Sequence, residues 1–465
     1  MVFNGCIPEK ATLSLSKLLE AAYQQGLLTE GMSTIQTDGL HTYEEGTNII
    51  CQMNLLQRGN PLQVERMLEA AKSVRDKLIG INSAGHTHFR SDYFSATKIA
   101  DQGIWAWSSN REVLHLAPAM LLGEMYGNQG AREYVLRFAD SMLAHSKTDS
   151  RGRTLLPQEI NFLTDEARSW GAEYELPIFW YAWLWTGNEK YLKPLKGTEY
   201  DIKPIINSKD ELAKAYASFL RTYDLNEYIF KEGSIWTDRI YYRPDLIQTS
   251  RLGGVVLNRS SRYAPCNPLI WKFENPSSVE KVAIHVTGDM RTSFAVDFFN
   301  TEEQPVSVTM EGFEVLGGKW MLKQENSSAS VTFGRGKHIA LTLPPRCSYR
   351  IEMKLRGKGT DYNQLTDWAI DHKDITIEKG NIQVCLHNLS GKDAPRALVV
   401  LTDPSGKVLS QSSSSFLAAP NDLNAQTTRV QLSCPEGVSL KGCRIVIDPN
   451  NEIDEIYESN NQVAL

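Results

Sequence analysis

The chain has 465 residues, of which 42% are hydrophobic and 22% charged, and this composition predicts a soluble globular protein of about two to four domains. Lysine and arginine number 49 against 55 aspartate and glutamate, so the net charge is −6, and no basic run indicates a nucleic-acid partner. No apolar stretch approaches the roughly 20 residues that cross a bilayer, and the opening MVFNGCIPEK shows no signal-peptide pattern.

Residues 1–226 are predicted to form a domain of helical hairpins. Apolar residues recur at helical spacing from about residue 9 to 225, and Gly-Asn pairs beginning at 59, 127 and 187 each join an apolar helix to an amphipathic one. Glycine suits the left-handed position after a helix, and asparagine caps the helix that follows. Repeated helix pairs must stack to bury their apolar faces, which predicts an open solenoid or a closed (α/α) toroid.

Three loops rich in polar and aromatic residues precede the inner helices, at 37–46, 85–107 and 155–175. Loops of this length inside a compact domain are usually functional. If the hairpins curve, the loops converge at one end of the inner helices and form a cleft. Beside the middle loop, the cleft would be lined by His41, Tyr43, Glu44, Glu45, Glu159, Asp165, Glu166, Trp170, Glu173 and Glu175.

The middle loop, GHTHFRSDYFSATKIADQGIWAW, combines bases, acids, cations and aromatic rings within 23 residues. This combination is typical of a site for a polar, ring-shaped, anionic ligand, and an acidic sugar is the expected one. The side chains concerned are His86, His88, Arg90, Asp92, Tyr93, Lys98, Asp101, Trp105 and Trp107.

From residue 227 the pattern changes to short alternating strands separated by Gly, Asn and Pro, which predicts an antiparallel β-sandwich over 227–356. Residues 366–465 also read as paired strands, with a turn at Asp403-Pro-Ser-Gly406. The chain as a whole is therefore expected to be a multidomain α + β protein.

The hairpins with long aromatic and acidic loops, followed by a β-rich region, resemble the (α/α)-toroid carbohydrate-active enzymes of bacteria. That group includes polysaccharide lyases and uronic-acid-releasing glycosidases of the glucuronidase type. The resemblance covers about residues 1–355 and is architectural, so it transfers no catalytic residue. Only about seven or eight helices are readable, whereas a closed toroid needs about a dozen, so the toroid is expected to be partial or to continue before Met1.

The last residues carry a second resemblance. Asp448-Pro-Asn-Asn-Glu452, followed by Glu455 and Asn460-Asn461, is similar to the closing strand of the CARDB-type immunoglobulin-like domain. Val384–Asn388 lies where that family has a strand that ends in asparagine. The resemblance implies a noncatalytic, immunoglobulin-like β-sandwich over 366–465, and it implies a bacterial periplasmic or cell-surface location.

The middle loop suggests β-elimination from a uronic-acid-containing polysaccharide. Such a reaction needs a cation on the carboxylate, a base at the neighbouring carbon and an acid at the departing oxygen. Arg90 would be the cation, His86 or His88 the base, and Tyr93 the acid; alternatively, Arg90 and Asp92 form an ion pair that merely holds the loop. Substrate contacts are expected from Tyr43, Glu44, Asp92, Lys98, Trp105, Trp107, Trp170 and Glu173.

Two other functions stay open. A glycoside hydrolase releasing uronic acid would need two carboxyl groups across the bond, and the candidates are Glu44, Glu45, Asp92, Glu159, Glu166, Glu173 and Glu175. The chain could instead be a noncatalytic glycan-binding or adhesion protein.

No metal ligand or cofactor is predicted. The His86 and His88 pair would need a third ligand, for which Asp92 and Glu173 are the candidates, and its spacing matches no zinc pattern. The seven cysteines show no zinc spacing either. A divalent cation is therefore not indicated, although the chemistry would accept one.

Overall fold

The structure is a computed structural model that describes residues 9–171, 176–196, 269–288, 291–313, 315–325, 327–378, 380–434, 437 and 439–465. The chain divides into two compact units. One consists of Met1–Glu9 with Gly197–Tyr362, and the other of Lys10–Lys196 with Asn363–Leu465. Helices and antiparallel sheets are both present, so the predicted mixed α + β class is confirmed. Helices predicted beyond 196 and strands predicted before 269 lie outside the described residues.

The helices of the second unit form successive hairpins, with α3 against α4, α5 against α6, and α4 and α6 each against the next hairpin's first helix. All nine residues of α5 are buried, whereas α4 buries nine of its thirteen residues and leaves Glu69 exposed. The helices are α1 Glu9–Gln24, α2 Gly39–Thr42, α3 Asn48–Leu56, α4 Pro61–Ser73, α5 Ala117–Met125, α6 Gln129–Ala144 and α7 Leu176–Thr186.

The three Gly-Asn turns have the predicted geometry. Gly59, Gly127 and Gly187 have φ angles of 75°, 64° and 66°, the left-handed region that glycine enters without a steric penalty. Asn60 and Asn128 cap α4 and α6 with their side chains. The prediction of a full helix after the third turn is wrong, because the chain there forms only the 3₁₀ turn Glu189–Leu192. Pro194 stands two residues after Leu192, and proline interrupts helical hydrogen bonding.

The three polar loops are more ordered than their composition predicts, because much of their backbone is paired in short antiparallel strands. The 155–171 part of the third loop is a hairpin of β9 and β10. The short strands of this part of the chain are β1 Leu28–Thr29, β2 Met32–Ser33, β3 Thr37–Asp38, β4 Ile79–Ile81, β5 Thr87–Phe89, β6 Tyr93–Phe94, β7 Trp107–Ser109, β8 Lys147–Thr148, β9 Thr154–Asn161 and β10 Ala167–Gly171.

The described part of the first unit is an antiparallel β-sandwich, as predicted. A three-stranded sheet, ordered β11-β14-β17, and a five-stranded sheet, ordered β12-β13-β18-β15-β16, share a core that includes Phe298, Trp320 and Phe333. The strands are β11 Leu269–Phe273, β12 Val282–Gly288, β13 Ser293–Asn300, β14 Val306–Gly312, β15 Gly317–Gln324, β16 Ser327–Phe333, β17 His338–Leu343 and β18 Ser348–Thr360.

Two further antiparallel sheets form the C-terminal part of the second unit. One contains β19, β20, β21 and β24, the other is ordered β23-β22-β25-β26, and Trp368, Val399 and Ile445 belong to their common core. The strands are β19 Trp368–Ala369, β20 Ile375–Glu378, β21 Asn381–Asn388, β22 Leu398–Thr402, β23 Val408–Ser413, β24 Gln426–Ser433, β25 Arg444–Ile447 and β26 Gln462–Ala464.

The C-terminal sheets pack directly on the helices of the same unit. The Asn128 amide, which caps α6, also donates to the carbonyl of Pro420 at 2.8 Å. The backbone N–H of Gly391 donates to the carbonyl of Tyr126 at 2.6 Å. Hydrogen bonds therefore join the helical hairpins to this sandwich within the second unit. Among the described residues, no helix combines the length and apolarity needed to cross a membrane.

Candidate functional site

The three polar segments meet, as the sequence predicts. Strand β3 pairs with β6, so Asp38 lies opposite Tyr93, and the Gly39 N–H donates to the Asp92 carbonyl at 2.9 Å. Strand β7 pairs with β9, which places Ser109 opposite Glu159. These pairings bring side chains from all three segments into one region of the helical part.

Two carboxyl groups in this region have raised pKa values, which favour their protonated forms. Glu112 is 1% exposed, and burial, supplemented by the nearby charge of Asp92, raises its pKa well above the usual range. Burial also raises the pKa of Asp92, assisted by Asp38 and Glu159. Within the described residues, Glu112 Oε2 and Asp92 Oδ1 are buried and have no hydrogen-bond partner. A proton on either oxygen would remove the cost of burying a charge.

The pKa of Asp38 is shifted in the opposite direction. Burial acts to raise its pKa, but the His41 ring at 2.6 Å and the backbone N–H groups of Leu40 and His41 stabilise the carboxylate, and the net pKa is lowered. The same ion pair raises the pKa of His41. A carboxyl group whose pKa is raised, that of Asp92, thus lies near one whose pKa is lowered, that of Asp38.

Aromatic residues belong to the same segments as these carboxyl groups, since Tyr93 follows Asp92 and lies opposite Asp38. Tyr93 and Trp105 have ring centroids 4.7 Å apart, and Trp105 remains 42% exposed. The Arg168 guanidinium lies 4.0 Å from the Trp107 ring centroid and forms two hydrogen bonds to the Glu159 carboxylate, at 2.7 and 2.9 Å. Exposed rings beside polar groups are suited to stacking on sugar rings.

A second group of side chains contains His86, His88, His145 and Asp165, whose ligand atoms all lie within 4.8 Å of one another. His86 Nδ1 is 2.9 Å from Asp165 Oδ2, and His145 Nε2 is 3.2 Å from Asp165 Oδ1. His88 Nε2 is 3.9 Å from the same oxygen, and burial lowers the pKa of His88 to about 3. This donor set has the chemistry of a metal site.

The residues predicted for β-elimination have the following surroundings in the structure. His86 and His88 face one another as predicted, with ring centroids 6.0 Å apart, but His88 is only 1% exposed. The proposed ion pair between Arg90 and Asp92 is absent among the described contacts, because Arg90 pairs with Asp101. Tyr93 is half-buried against Trp105.

The predicted substrate-contact residues differ in their exposure. Tyr43 is buried at 1% exposure, with its ring edge-on to His115, so it lies in the core of the helical part. Glu44 and Lys98 are exposed. Trp170 lies beneath the Lys147 ammonium at 3.1 Å from the ring centroid. Glu173 lies outside the described residues. The roles assigned to these residues remain predictions.

Sequence reasoning missed Asp38, Glu112 and His145. Asp38 precedes a short helix in the position of an N-cap, which is a local and recognisable signal. Glu112 follows the polar Asn110 and Arg111 and comes just before the apolar run that begins at Val113, so the local sequence does not mark it as buried. His145 only ends α6 and carries no local signal. The sequence suggested Asp92 or Glu173 as a further ligand beside His86 and His88. In the structure, His145 and Asp165 lie beside them instead.

No family model and no curated protein matches this chain. Among solved structures, it is similar to β-glucuronidase from Ruminococcus gnavus, both in the apo form and in complex with D-glucuronic acid. Each match has 8% sequence identity and a TM-score of 0.15, and covers 38% of this chain and 36% of the glucuronidase chain. The matched segment is thus little more than a third of the glucuronidase length.

Proposed function

We propose that this chain is a carbohydrate-active enzyme that hydrolyses glycosidic bonds of a uronic-acid-containing polysaccharide. One observation carries the proposal. Near the exposed ring of Trp105, the pKa of Asp92 is raised and the pKa of the neighbouring Asp38 is lowered. Glycosidases use one carboxyl group that keeps its proton and a second that is ionised. Asp92 is the general acid and Asp38 the carboxylate that acts as base or nucleophile.

The surroundings of the two carboxyl groups support these roles. Asp92 is half-buried, and its raised pKa favours the protonated form that a general acid uses to protonate the leaving oxygen. His41 keeps Asp38 ionised and orients it, with 2.6 Å between Nδ1 and Oδ2. Trp105 offers an apolar face for a sugar ring, and the exposed ammonium of Lys98 supplies a positive charge for a uronate carboxylate.

The test is an assay on a panel of acidic polysaccharides, with reducing ends and the ultraviolet absorbance of unsaturated uronates measured together. Asp92→Asn should lower the release of reducing ends by about 10²–10⁴-fold, because general acid catalysis contributes that much. Glu133→Gln, at an exposed position on α6, is the matched control and should retain activity. Full activity of Asp92→Asn would contradict the assignment of the acid.

The pH dependence gives an independent check. Hydrolysis requires a protonated Asp92 and an ionised Asp38, so activity should be bell-shaped. The acid limb reflects the lowered pKa of Asp38, and the alkaline limb reflects the raised pKa of Asp92. Removing His41, by His41→Gln, should move the acid limb to higher pH. An unchanged acid limb would remove Asp38 from the mechanism.

β-Elimination is the second candidate, and one contact favours it. His86 Nδ1 lies 2.9 Å from Asp165 Oδ2, the arrangement that orients a histidine base. Arg90 would neutralise the uronate and Tyr93 would protonate the leaving oxygen. Elimination would produce absorbing unsaturated uronates, and hydrolysis would not. Retained affinity with neither product would favour a noncatalytic glycan-binding protein.

The domain context forms part of the proposal. We infer that the helical hairpins belong to an (α/α) toroid and that residues 366–465 are a CARDB-like accessory module of an exported bacterial enzyme. The strand ending at Asn388 supports the second inference, since its amide donates to the carbonyls of Lys392 and Ala418 and closes the end of β21. Fractionation of the source cells, with detection of the full-length protein in the envelope or medium, tests the location.

A further inference from the structure

The histidine group lies where three separate elements meet. His86 and His88 flank Thr87 on β5, His145 follows the last residue of α6, and Asp165 lies in the turn between β9 and β10. Asp165 has a φ of 62°, an unusual conformation for a residue other than glycine. Elements far apart in the chain thus direct four potential ligands to one point.

The spacing of the ligand atoms agrees with a tetrahedral ion. With bonds of about 2.0–2.1 Å to zinc, neighbouring ligand atoms lie about 3.3 Å apart. The distances from the Asp165 carboxylate to His86, His145 and His88 are 2.9, 3.2 and 3.9 Å. Small side-chain shifts would place all four atoms around one ion.

The buried ring of His88 is the observation that hydrogen bonding alone leaves unexplained. Its side chain is 1% exposed, and its Nε2 atom has no hydrogen-bond partner among the described residues. A buried nitrogen without a partner is costly. The atom is directed at Asp165 and lies beside the His145 ring, whose centroid is 5.0 Å away. A metal ion at this point would satisfy it.

Surrounding contacts hold the other ligands in position. The carbonyl of Ser141 lies 2.9 Å from His145 Nδ1, and a proton held there would direct the Nε2 lone pair towards Asp165, whose carbonyl and Oδ1 atoms lie 3.3 and 3.2 Å from Nε2. The Asn82 amide donates to Asp165 Oδ1 at 2.6 Å, while the Asn82 oxygen accepts from the backbone N–H of His86. Such outer contacts are characteristic of metal-binding histidines and carboxylates.

We propose that His86, His88, His145 and Asp165 bind a divalent transition-metal ion, preferentially Zn²⁺, in a structural site. Three imidazoles and a carboxylate suit zinc, and four protein ligands close its usual coordination. The ion fastens the turn between β9 and β10 to β5 and to the end of α6. The same hairpin carries Glu159, so the site steadies one wall of the proposed cleft. Coordination through His86 would also exclude this residue as the base of an elimination.

The test uses the full chain, stripped with a chelator and then titrated with Zn²⁺. We expect one tightly held zinc per chain and a melting temperature that rises with free zinc, because only the folded state contains the site. Co²⁺ substitution should give the intense visible absorption of a tetrahedral nitrogen and oxygen site. The proposal would be overturned if the chain bound no zinc, or if the variants below bound as many zinc ions per chain as the wild type.

Three variants assign the ligands. His88→Ala and Asp165→Asn should each weaken zinc binding by more than about 100-fold, and Asn82→Ala by about 10–100-fold through the loss of outer support. Asp165 is partly exposed, whereas Asn82 is buried but is not itself a ligand, so Asp165→Asn and Asn82→Ala provide readouts if His88→Ala fails to fold. His338→Ala, at an exposed ion pair with Glu311 in the first unit, is the matched control and should bind zinc normally.

One competing location can be separated directly. Asp374, Cys385 and His387 also have ligand atoms within 4.8 Å of one another. Retention of the zinc in Cys385→Ser, with loss in Asp165→Asn, supports the assignment. Loss in Cys385→Ser alone overturns it. Because the readouts are metal content and spectra, this result is independent of whether the chain hydrolyses polysaccharides.

Discussion

Replacement of His387 by glutamine should strongly destabilise the unit that contains the helices and the C-terminal sheets. The His387 imidazole is 6% exposed and lies between two carboxylates, with Nε2 2.9 Å from Asp374 and Nδ1 3.0 Å from Glu65. Glu65 belongs to α4, and His387 belongs to β21. The charged ring therefore links a helix to a strand about 300 residues further along the chain.

The magnitude follows from the ion pairs. Burial alone would lower the pKa of His387, but hydrogen bonds to Asp374, Cys385 and Glu65 outweigh it and raise the pKa to about 11. A shift from about 6.5 to this value corresponds to about 6 kcal/mol of preferential stabilisation of the charged ring. Removal of one partner from a buried pair costs about 3–5 kcal/mol, and we expect a loss in this range at pH 7.

The pH dependence has a defined sign. The folded state keeps the proton up to about pH 11, whereas the unfolded chain releases it near pH 6.5. Stabilisation by this histidine is therefore complete below pH 6.5 and is lost progressively between 6.5 and 11. The difference in unfolding free energy between wild type and His387→Gln should decrease steadily as the pH rises through this window.

Urea unfolding at several pH values from 6 to 10 provides the assay, followed by tryptophan fluorescence. His372→Gln, an exposed histidine in the same unit, is the matched control and should change stability by less than about 0.5 kcal/mol. A loss below about 1 kcal/mol for His387→Gln, or a difference that does not vary with pH, would refute the charged-bridge interpretation.

Two further substitutions test the packing of the same unit. Asn128→Ala should lower the free energy of unfolding by about 2 kcal/mol, because the side chain both caps α6 and donates to the Pro420 carbonyl. Urea unfolding measures this loss, and the control Asn188→Ala, at an exposed turn, should lose less. Gly39→Ala should cost about 1–3 kcal/mol in thermal unfolding, because its Cβ would lie 2.3 Å from Glu112 Oε1. The double variant with Glu112→Ala should recover part of this loss, and strict additivity would show that the two residues are not in contact.

The prediction of local structure succeeded where neighbouring residues carry the signal. The Gly-Asn turns at 59, 127 and 187 require a left-handed residue followed by a cap, and both are chemical properties of the dipeptide. The strands from Leu269 to Thr360 follow from alternation of apolar and polar residues, which places one face in the core. The prediction failed after the turn at 187, because it followed the apolar pattern of that segment and gave too little weight to Pro194, which interrupts helical hydrogen bonding.

The sequence marks 85–107 as a candidate site, because so many bases, acids and rings are unusual in a connector. Its partners could not be chosen in the same way. Arg90 has several acidic residues nearby in the chain, and the fold pairs it with Asp101 instead of Asp92. Likewise, His86 and His88 needed further ligands, and the structure supplies His145 and Asp165.

The sequence by itself determined the helical hairpins, the strand-rich regions and the position of their turns, because periodicity and turn chemistry act over a few residues. Only the tertiary structure decided which carboxyl group is buried and which is ionised. It alone placed Glu112 under Gly39, set Asp38 against His41 and gathered the histidine group around Asp165. Burial and electrostatic pairing depend on residues that are distant in the chain, and these contacts exist only once the hairpins have packed.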